Sequence, residues 1–206
     1  MKVKNGISLY KNAKKIIPGG TTLFSKRSEL HLPNKWPSYF AKAKKINVWD
    51  LKGNKYLDMF CAVGTSILGY NNHRINRSVQ KNINKGNLTT LSCPEEVFLA
   101  KQVIKHHPWS SMAKFTRGGG EANALAIRIA RANTNKKNVA FCGYHGWHDW
   151  YLSANINSKK NLDQHLMSGL NYDGIPVNLK NTSYPFMYND FEYLLKLIKK
   201  KNIGII

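Results

Sequence analysis

The chain has 206 residues, of which 42% are hydrophobic and 21% charged, a balance that excludes a disordered tail or a collagen-like fibre. Lys and Arg number 32 against 11 Asp and Glu, giving a net charge of +21, but only six of the cations are Arg and the lysines are dispersed. Arg is the residue suited to bidentate phosphate and base contacts, so its scarcity argues against a nucleic-acid partner and leaves a basic nucleic-acid-binding module as a rival reading behind a solvated Lys-rich surface. No run of about 18 apolar residues offers a membrane span, and the first six residues lack the apolar stretch of a signal peptide. Three cysteines, Cys61, Cys93 and Cys142, form no CxxC pair, which fits a reduced, cytoplasmic setting.

In chain order, Leu9, Ala13, Ile16 and Ile17 lie at near-helical spacing and predict a helix over 7–17, ended by Pro18-Gly19-Gly20. Residues 20–40 read as irregular. Ile46 to Asp50, the turn Leu51-Lys52-Gly53-Asn54, and Lys55 to Met59 predict a β-hairpin. A loop with Gly64 and Gly69 follows, then a helix around 73–84. Ser92-Cys93-Pro94-Glu95 has the pattern of a capping box, opening a helix that runs to about His106. Met112 to Thr116 reads as a strand, Arg117-Gly118-Gly119-Gly120 as a tight loop, Glu121 to Ala132 as a helix, and Asn138 to Cys142 as a second strand. Asn202 to Ile206 reads as the opening of a third buried strand. Strand, glycine loop, helix and strand form a βαβ signal, which predicts an α/β fold with a largely parallel sheet.

Glycine lets a backbone approach a ligand closely, and free N–H groups at a helix start favour an anion. Gly118 to Gly120 therefore reads either as a phosphate cradle or as a plain tight turn. The P-loop pattern is absent, and the dinucleotide pattern would need a glycine where Asn123 stands. The second strand runs into Gly143-Tyr144-His145-Gly146-Trp147-His148-Asp149-Trp150. Ligands of open α/β sheets sit beyond the carboxyl ends of strands, and both glycine loop and aromatic elbow fall at such ends. Together they could hold a flat, phosphorylated aromatic cofactor. His145-x-x-His148 with Asp149 also has metal-ligand spacing, but no further ligand motif accompanies it.

Thr116-Arg117-Gly118-Gly119-Gly120-Glu121-Ala122-Asn123-Ala124, Arg128-Ile129-Ala130-Arg131-Ala132 and Tyr144-His145-Gly146 resemble class III pyridoxal-phosphate (PLP) aminotransferases. Within that family the glutamate-1-semialdehyde aminomutase-like branch is the nearest in look. Ile17-Pro18-Gly19-Gly20 and the hairpin residues Val48-Trp49-Asp50, Gly53-Asn54 and Tyr56-Leu57-Asp58 are similar to the same family. The resemblance implies a fold-type-I PLP-dependent transferase. Residues 1–60 would be an N-terminal segment of helix, irregular substrate-side loop and hairpin, and residues 61–206 the first part of the PLP-binding large domain, with helices on both faces of its mostly parallel sheet. It implies a homodimer that works on a small-molecule amino donor and a carbonyl acceptor. Carried over by position, Gly119 and Gly120 would hold the cofactor phosphate, Gly118 would shape the loop, and Tyr144 would stack on the pyridine ring, with His145 and Gly146 completing the elbow.

The resemblance also implies a Schiff-base lysine and an acid partner for the pyridine nitrogen, both expected downstream of Ile206, so that no catalytic residue is expected within the chain and the chain reads as an inactive N-terminal fragment. The family's aminomutases carry an Arg after Pro-Gly-Gly that binds the substrate carboxylate, and Arg27 stands one residue later in different company. Arg27 reads either as that substrate-binding cation or as an exposed charge. The Trp of the family's Ser-Trp-Gly segment is replaced in Ala62-Val63-Gly64. These departures point to an aminotransferase with another substrate, with glutamate-1-semialdehyde 2,1-aminomutase as the alternative.

Overall fold

A computed structural model of the protein describes residues 5–86, 89–156, 158, 160–165 and 168–206; Met1 to Lys4, part of the segment read above for a signal peptide, lie outside them. The chain divides into two compact units, Met1–Ser92 and Cys93–Ile206.

The first unit opens with helix α1, Gly6–Ile16. Asn5 caps it, its side-chain oxygen accepting from the N–H groups of Ile7 and Ser8 at 3.0 and 3.3 Å. Tyr10 and Ala13 are buried, and Pro18-Gly19-Gly20 ends the helix with both glycines at positive φ. The Tyr10 hydroxyl donates to Glu29 Oε2 at 2.8 Å, and Lys14 Nζ donates to Glu29 Oε1 at 2.7 Å. These bonds, that from Lys14 first, hold the Glu29 carboxyl down to about 2.

Residues 20–40 form short 3₁₀ turns and bends, as their prolines suggest. Strands β1 (Phe40–Lys44), β2 (Asn47–Asp50) and β3 (Lys55–Leu57) make an antiparallel sheet in that order. The predicted hairpin is β2–β3, and its turn is tied by the Asp50 carboxylate, which accepts from Lys52 N, Asn54 N and Asn54 Nδ2, each at 2.9 Å. Strand β1 carries only the small-residue alternation Ala41-Lys42-Ala43-Lys44, with no Val, Ile or Thr to announce it. Its place is fixed by pairing with β2 and by Lys42, whose ammonium lies 4.6 Å from the centre of the Trp49 ring.

The sequence places a boundary after residue 60, whereas the compact unit continues to Ser92. Residues 58–70 explain the difference. The Tyr70 hydroxyl donates to Asp58 Oδ2 at 2.6 Å, and the Tyr70 and Lys45 backbones exchange hydrogen bonds of 2.7 and 2.9 Å. The loop is thereby tied back to the small sheet. Helix α2, His73–Ile83, follows under an Asn72 cap.

In the second unit, helix α3 spans Glu95–His106. The expected capping box does not form: Pro94, already in helical geometry, occupies the cap position with no side-chain cap bond, and Glu96 N donates to the Cys93 carbonyl instead. Met112 to Thr116 forms no strand: none of the described residues pairs with it. Helix α4 spans Gly119–Thr134 and ends on Asn135 in the left-handed region.

Strand β4 (Asn138–Phe141) is the centre of a parallel sheet, order β5–β4–β6, with β5 at Ser183–Pro185 and β6 at Ile203–Ile205. Its side chains alternate between two cores. Val139 and Phe141 pack with Ile127 of α4 and with Trp150, Tyr151, Ala154 and Leu162, whereas Ala140 packs with Leu197 and Ile203. Burying each such large apolar side chain contributes about 1.5–3 kcal/mol. Leu197 lies on α6, Phe191–Lys201, whose start is capped by Asp190 accepting from Tyr193 N at 3.0 Å. Trp150 and Tyr151 lie on the short helix α5, Asp149–Leu152. Helices α4 and α5 on one face and α6 on the other give the layered arrangement that the βαβ pattern predicts.

Candidate functional site

The site is built where β4 ends and α4 begins. The loop before α4 is closed by its own residues: Glu121 Oε2 accepts from Arg117 N at 2.9 Å, and the Thr116 hydroxyl donates to the Gly118 carbonyl at 3.1 Å. Gly118 occupies the cap position in extended geometry and has no side chain to cap with, so among the described residues no side chain satisfies the first N–H groups of this 16-residue helix. A Cβ placed on Gly118 or Gly119 would meet nothing within 4 Å, so that face of the loop is open. Backbone donors, the positive end of the helix dipole and free space coincide there. Arg128 and Arg131, further along α4, line a cavity of about 440 Å³ with Trp147 and His148.

Gly120 is the closed member of the triplet. A Cβ on it would stand 2.9 Å from Cδ2 of His148, and a Cβ on Gly146 would stand 3.6 Å from Gly120 Cα. The elbow 143–148 thus lies directly against the start of α4. The structure brings Gly118, Gly119, Gly120, His145 and Gly146 into one locality, with Tyr144 on the same turn.

His145 is locked from both sides. Asn123 Nδ2 lies 3.2 Å from its Nδ1, and its Nε2–H donates to the Cys142 carbonyl at 2.8 Å. With both nitrogens engaged, the His145-x-x-His148 pair does not offer two lone pairs to a metal, and among the described residues no group of His, Cys, Asp and Glu is placed to hold one. The half-buried Tyr144 ring stands edge-on to Tyr151 at 5.9 Å. Tyr151 is fully buried, its hydroxyl has no partner among the described residues, and burial pushes it up to about 12.

Sequence reasoning missed His165, which belongs to this locality. It is 5% exposed, and its Nδ1 accepts from the Gly143 N–H at 3.1 Å. A single histidine in a loop 22 positions downstream carries no motif, so only the fold discloses it. Arg27 belongs to the first unit. Its guanidinium lies 4.6 Å from the centre of the Phe24 ring and against Gly19, and its Nε is buried without a partner among the described residues. It is therefore not a free surface charge.

The family description Aminotransferase class-III fits residues 33–202. The chain belongs to the class III aminotransferase family. Among curated class III relatives, it is 32% identical over 200 residues to the 3-aminobutyryl-CoA aminotransferase of Cloacimonas acidaminovorans, covering 97% of this chain and 44% of that protein. It is 34% identical over 199 residues to the glutamate-1-semialdehyde 2,1-aminomutase of Methanobrevibacter smithii, covering 96% and 44%. The chain thus spans a little under half the length of these relatives. Its fold matches an omega-transaminase from Sphaerobacter thermophilus with a TM-score of 0.79 at 24% identity, over 97% of this chain and 45% of the other. It also matches the PLP internal aldimine form of the FumI protein of Sphingopyxis sp. MTA144, with a TM-score of 0.77 at 25% identity, over 96% and 44%. The class III chain accordingly has the fold-type-I architecture.

Proposed function

We propose that this chain supplies the phosphate-holding part of a PLP-dependent aminotransferase, which moves an amino group from a small-molecule donor to a carbonyl acceptor. The observation that carries the reading is the uncapped start of α4, with open space at Gly118 and Gly119, set against the Tyr144-His145-Gly146 elbow. A phosphate fits the donor set, since backbone N–H groups at a helix start satisfy its oxygens and a Cβ would occupy that space. Bound there, PLP supplies an electron sink for the carbon that loses or gains the amino group. The chain's own residues bind and orient. Gly119 and Gly120 donate backbone N–H groups, Tyr144 offers a ring face, and the Asn123–His145–Cys142 hydrogen bonds hold the elbow in one geometry.

Arg27 is proposed to pair with a substrate carboxylate, as the family resemblance implies. The similarity to the Methanobrevibacter smithii enzyme supports the second reading, a glutamate-1-semialdehyde 2,1-aminomutase. A cytoplasmic homodimer is part of the proposal; no described helix is long and apolar enough to cross a membrane.

Pyridoxine 5′-phosphate tests the cradle, because it carries the ring and phosphate but no aldehyde to react with the chain's many lysines. Calorimetric titration should show binding that excess duplex DNA does not displace. Gly119→Val should weaken it by about tenfold or more while leaving the melting temperature nearly unchanged, since the new side chain meets only space. Equal binding by Gly119→Val would overturn the assignment, and displacement by DNA would favour the nucleic-acid module.

A further inference from the structure

Strand β4 ends at Phe141, and its last ladder bond is the one from Phe186 N to the Phe141 carbonyl at 2.9 Å. Gly143 therefore lies beyond the sheet, where its N–H has no strand to donate to. It sits at φ 89, a turn that side-chain-bearing residues rarely adopt. A partly buried donor with no acceptor is costly, so the turn needs a partner from elsewhere in the chain. His165 is that partner. The residue is 5% exposed, its ring tilted against Phe141 at 6.2 Å, with Nδ1 3.1 Å from the Gly143 nitrogen.

We propose that His165 is a positioning residue for the cofactor elbow: by accepting the Gly143 N–H, it fixes the turn that presents Tyr144, His145 and Gly146 to the start of α4. The inference rests on the cofactor reading given above. His165 reaches the site only through Gly143 and touches neither the glycine loop nor Tyr144 in its hydrogen bonding.

The contact has a chemical condition. A neutral imidazole with its proton on Nε2 has a lone pair on Nδ1, whereas imidazolium carries a proton on both nitrogens and would set a donor against a donor. Burial first, and then the neighbouring His145, push His165 below its ordinary 6.5, which favours the accepting form. Among the described residues, the ionisable groups Lys160, Tyr184, Asp190 and Tyr193 line a cavity of about 370 Å³ with it. Asp163 on its own segment is turned to the Gly169 N–H, and Asp190 to Tyr193 N. The elbow should thus be held firmly above pH 6.5 and released as the pH falls through the lowered value.

Two measurements on the full 206-residue chain test this. In ¹⁵N-resolved NMR, the Gly143 amide should follow the protonation of His165 as pH is lowered. In calorimetry with pyridoxine 5′-phosphate at pH 7.5, His165→Leu should bind about five- to tenfold more weakly, and His165→Asn, which retains an acceptor, should stay within about twofold of the unaltered chain. Below pH 6.5 the unaltered chain should lose affinity more steeply than His165→Asn, both sharing the titration of the phosphate itself. His165→Leu binding as tightly as the unaltered chain, or a Gly143 amide indifferent to His165 protonation, would overturn the proposal alone. Absence of binding by the unaltered chain at every pH would overturn the cofactor reading and this inference with it. If His165→Leu does not fold, the Gly143 titration and His165→Asn decide the matter.

Discussion

At the scale of single residues, glycines with similar sequence context carry opposite demands. Gly20 has φ 75, and a Cβ on it would stand 2.8 Å from Cε2 of the buried Tyr10 ring. Gly20→Ala must both enter the left-handed region and displace a core aromatic, so it should cost about 2–4 kcal/mol. Gly119 has ordinary helical geometry and open space, so Gly119→Ala should be neutral or stabilise by up to about 1 kcal/mol through the unfolded chain. Urea denaturation of the two variants checks both signs; similar costs would contradict the geometry. The contrast separates a glycine that the backbone and its neighbours require from one that they do not.

At the scale of elements, the Asp58–Tyr70 bond ties the 58–70 loop to the antiparallel sheet. Tyr70→Phe should cost about 1–2 kcal/mol, the value of a hydrogen bond to a carboxylate in a half-buried setting. The same bond, ahead of desolvation, pushes the Tyr70 hydroxyl up to about 12. Its contribution is therefore complete below the unfolded value near 10 and lost as pH rises through 12. An ultraviolet titration should show Tyr70 and Tyr151 ionising last, and Tyr70→Phe should remove one phenol from that step. This tie also shows what the sequence could and could not disclose. Elements specified by neighbours a few positions away were legible: α1 with its glycine stop, the Asp50 turn, α4 after its glycines, and β4 and β6 as apolar runs. Met112 to Thr116 was not, because extended chain becomes strand only through a partner. Ser92 lost its capping role because Pro94 already stood in helical geometry. Helix α6 carries a local signal too, an Asp190 cap before Leu194, Leu197 and Ile198. In the site, the glycines and the Tyr144-His145-Gly146 turn were legible as motifs, whereas His165 acts through one hydrogen bond across 22 positions and has no motif to show.

At the scale of the whole molecule, 32 cations face 11 acids, yet among the described residues a single ion pair, Lys14–Glu29, is formed. Screening therefore has much repulsion to remove and little attraction to lose. Raising salt from about 20 to about 200 mM should raise the melting temperature by about 2–5 °C, and a fall would mean that unpaired charge is not what limits stability. The parallel sheet has a consequence in time rather than in energy. Its central strand pairs on one side with Ser183 to Pro185 and on the other with residues from Ile203 onward. A ribosome that has just released Asn138 must still add about 65 residues before Ile203 emerges, which at 5–20 residues per second takes roughly 3–13 s. Both edges of Val139, Ala140 and Phe141, the most deeply buried run of the finished sheet, stay open until Ser183 emerges about 45 residues on, and the second edge stays open for the whole interval. During synthesis, the segment that anchors the candidate site is thus also the one most in need of a chaperone's shelter.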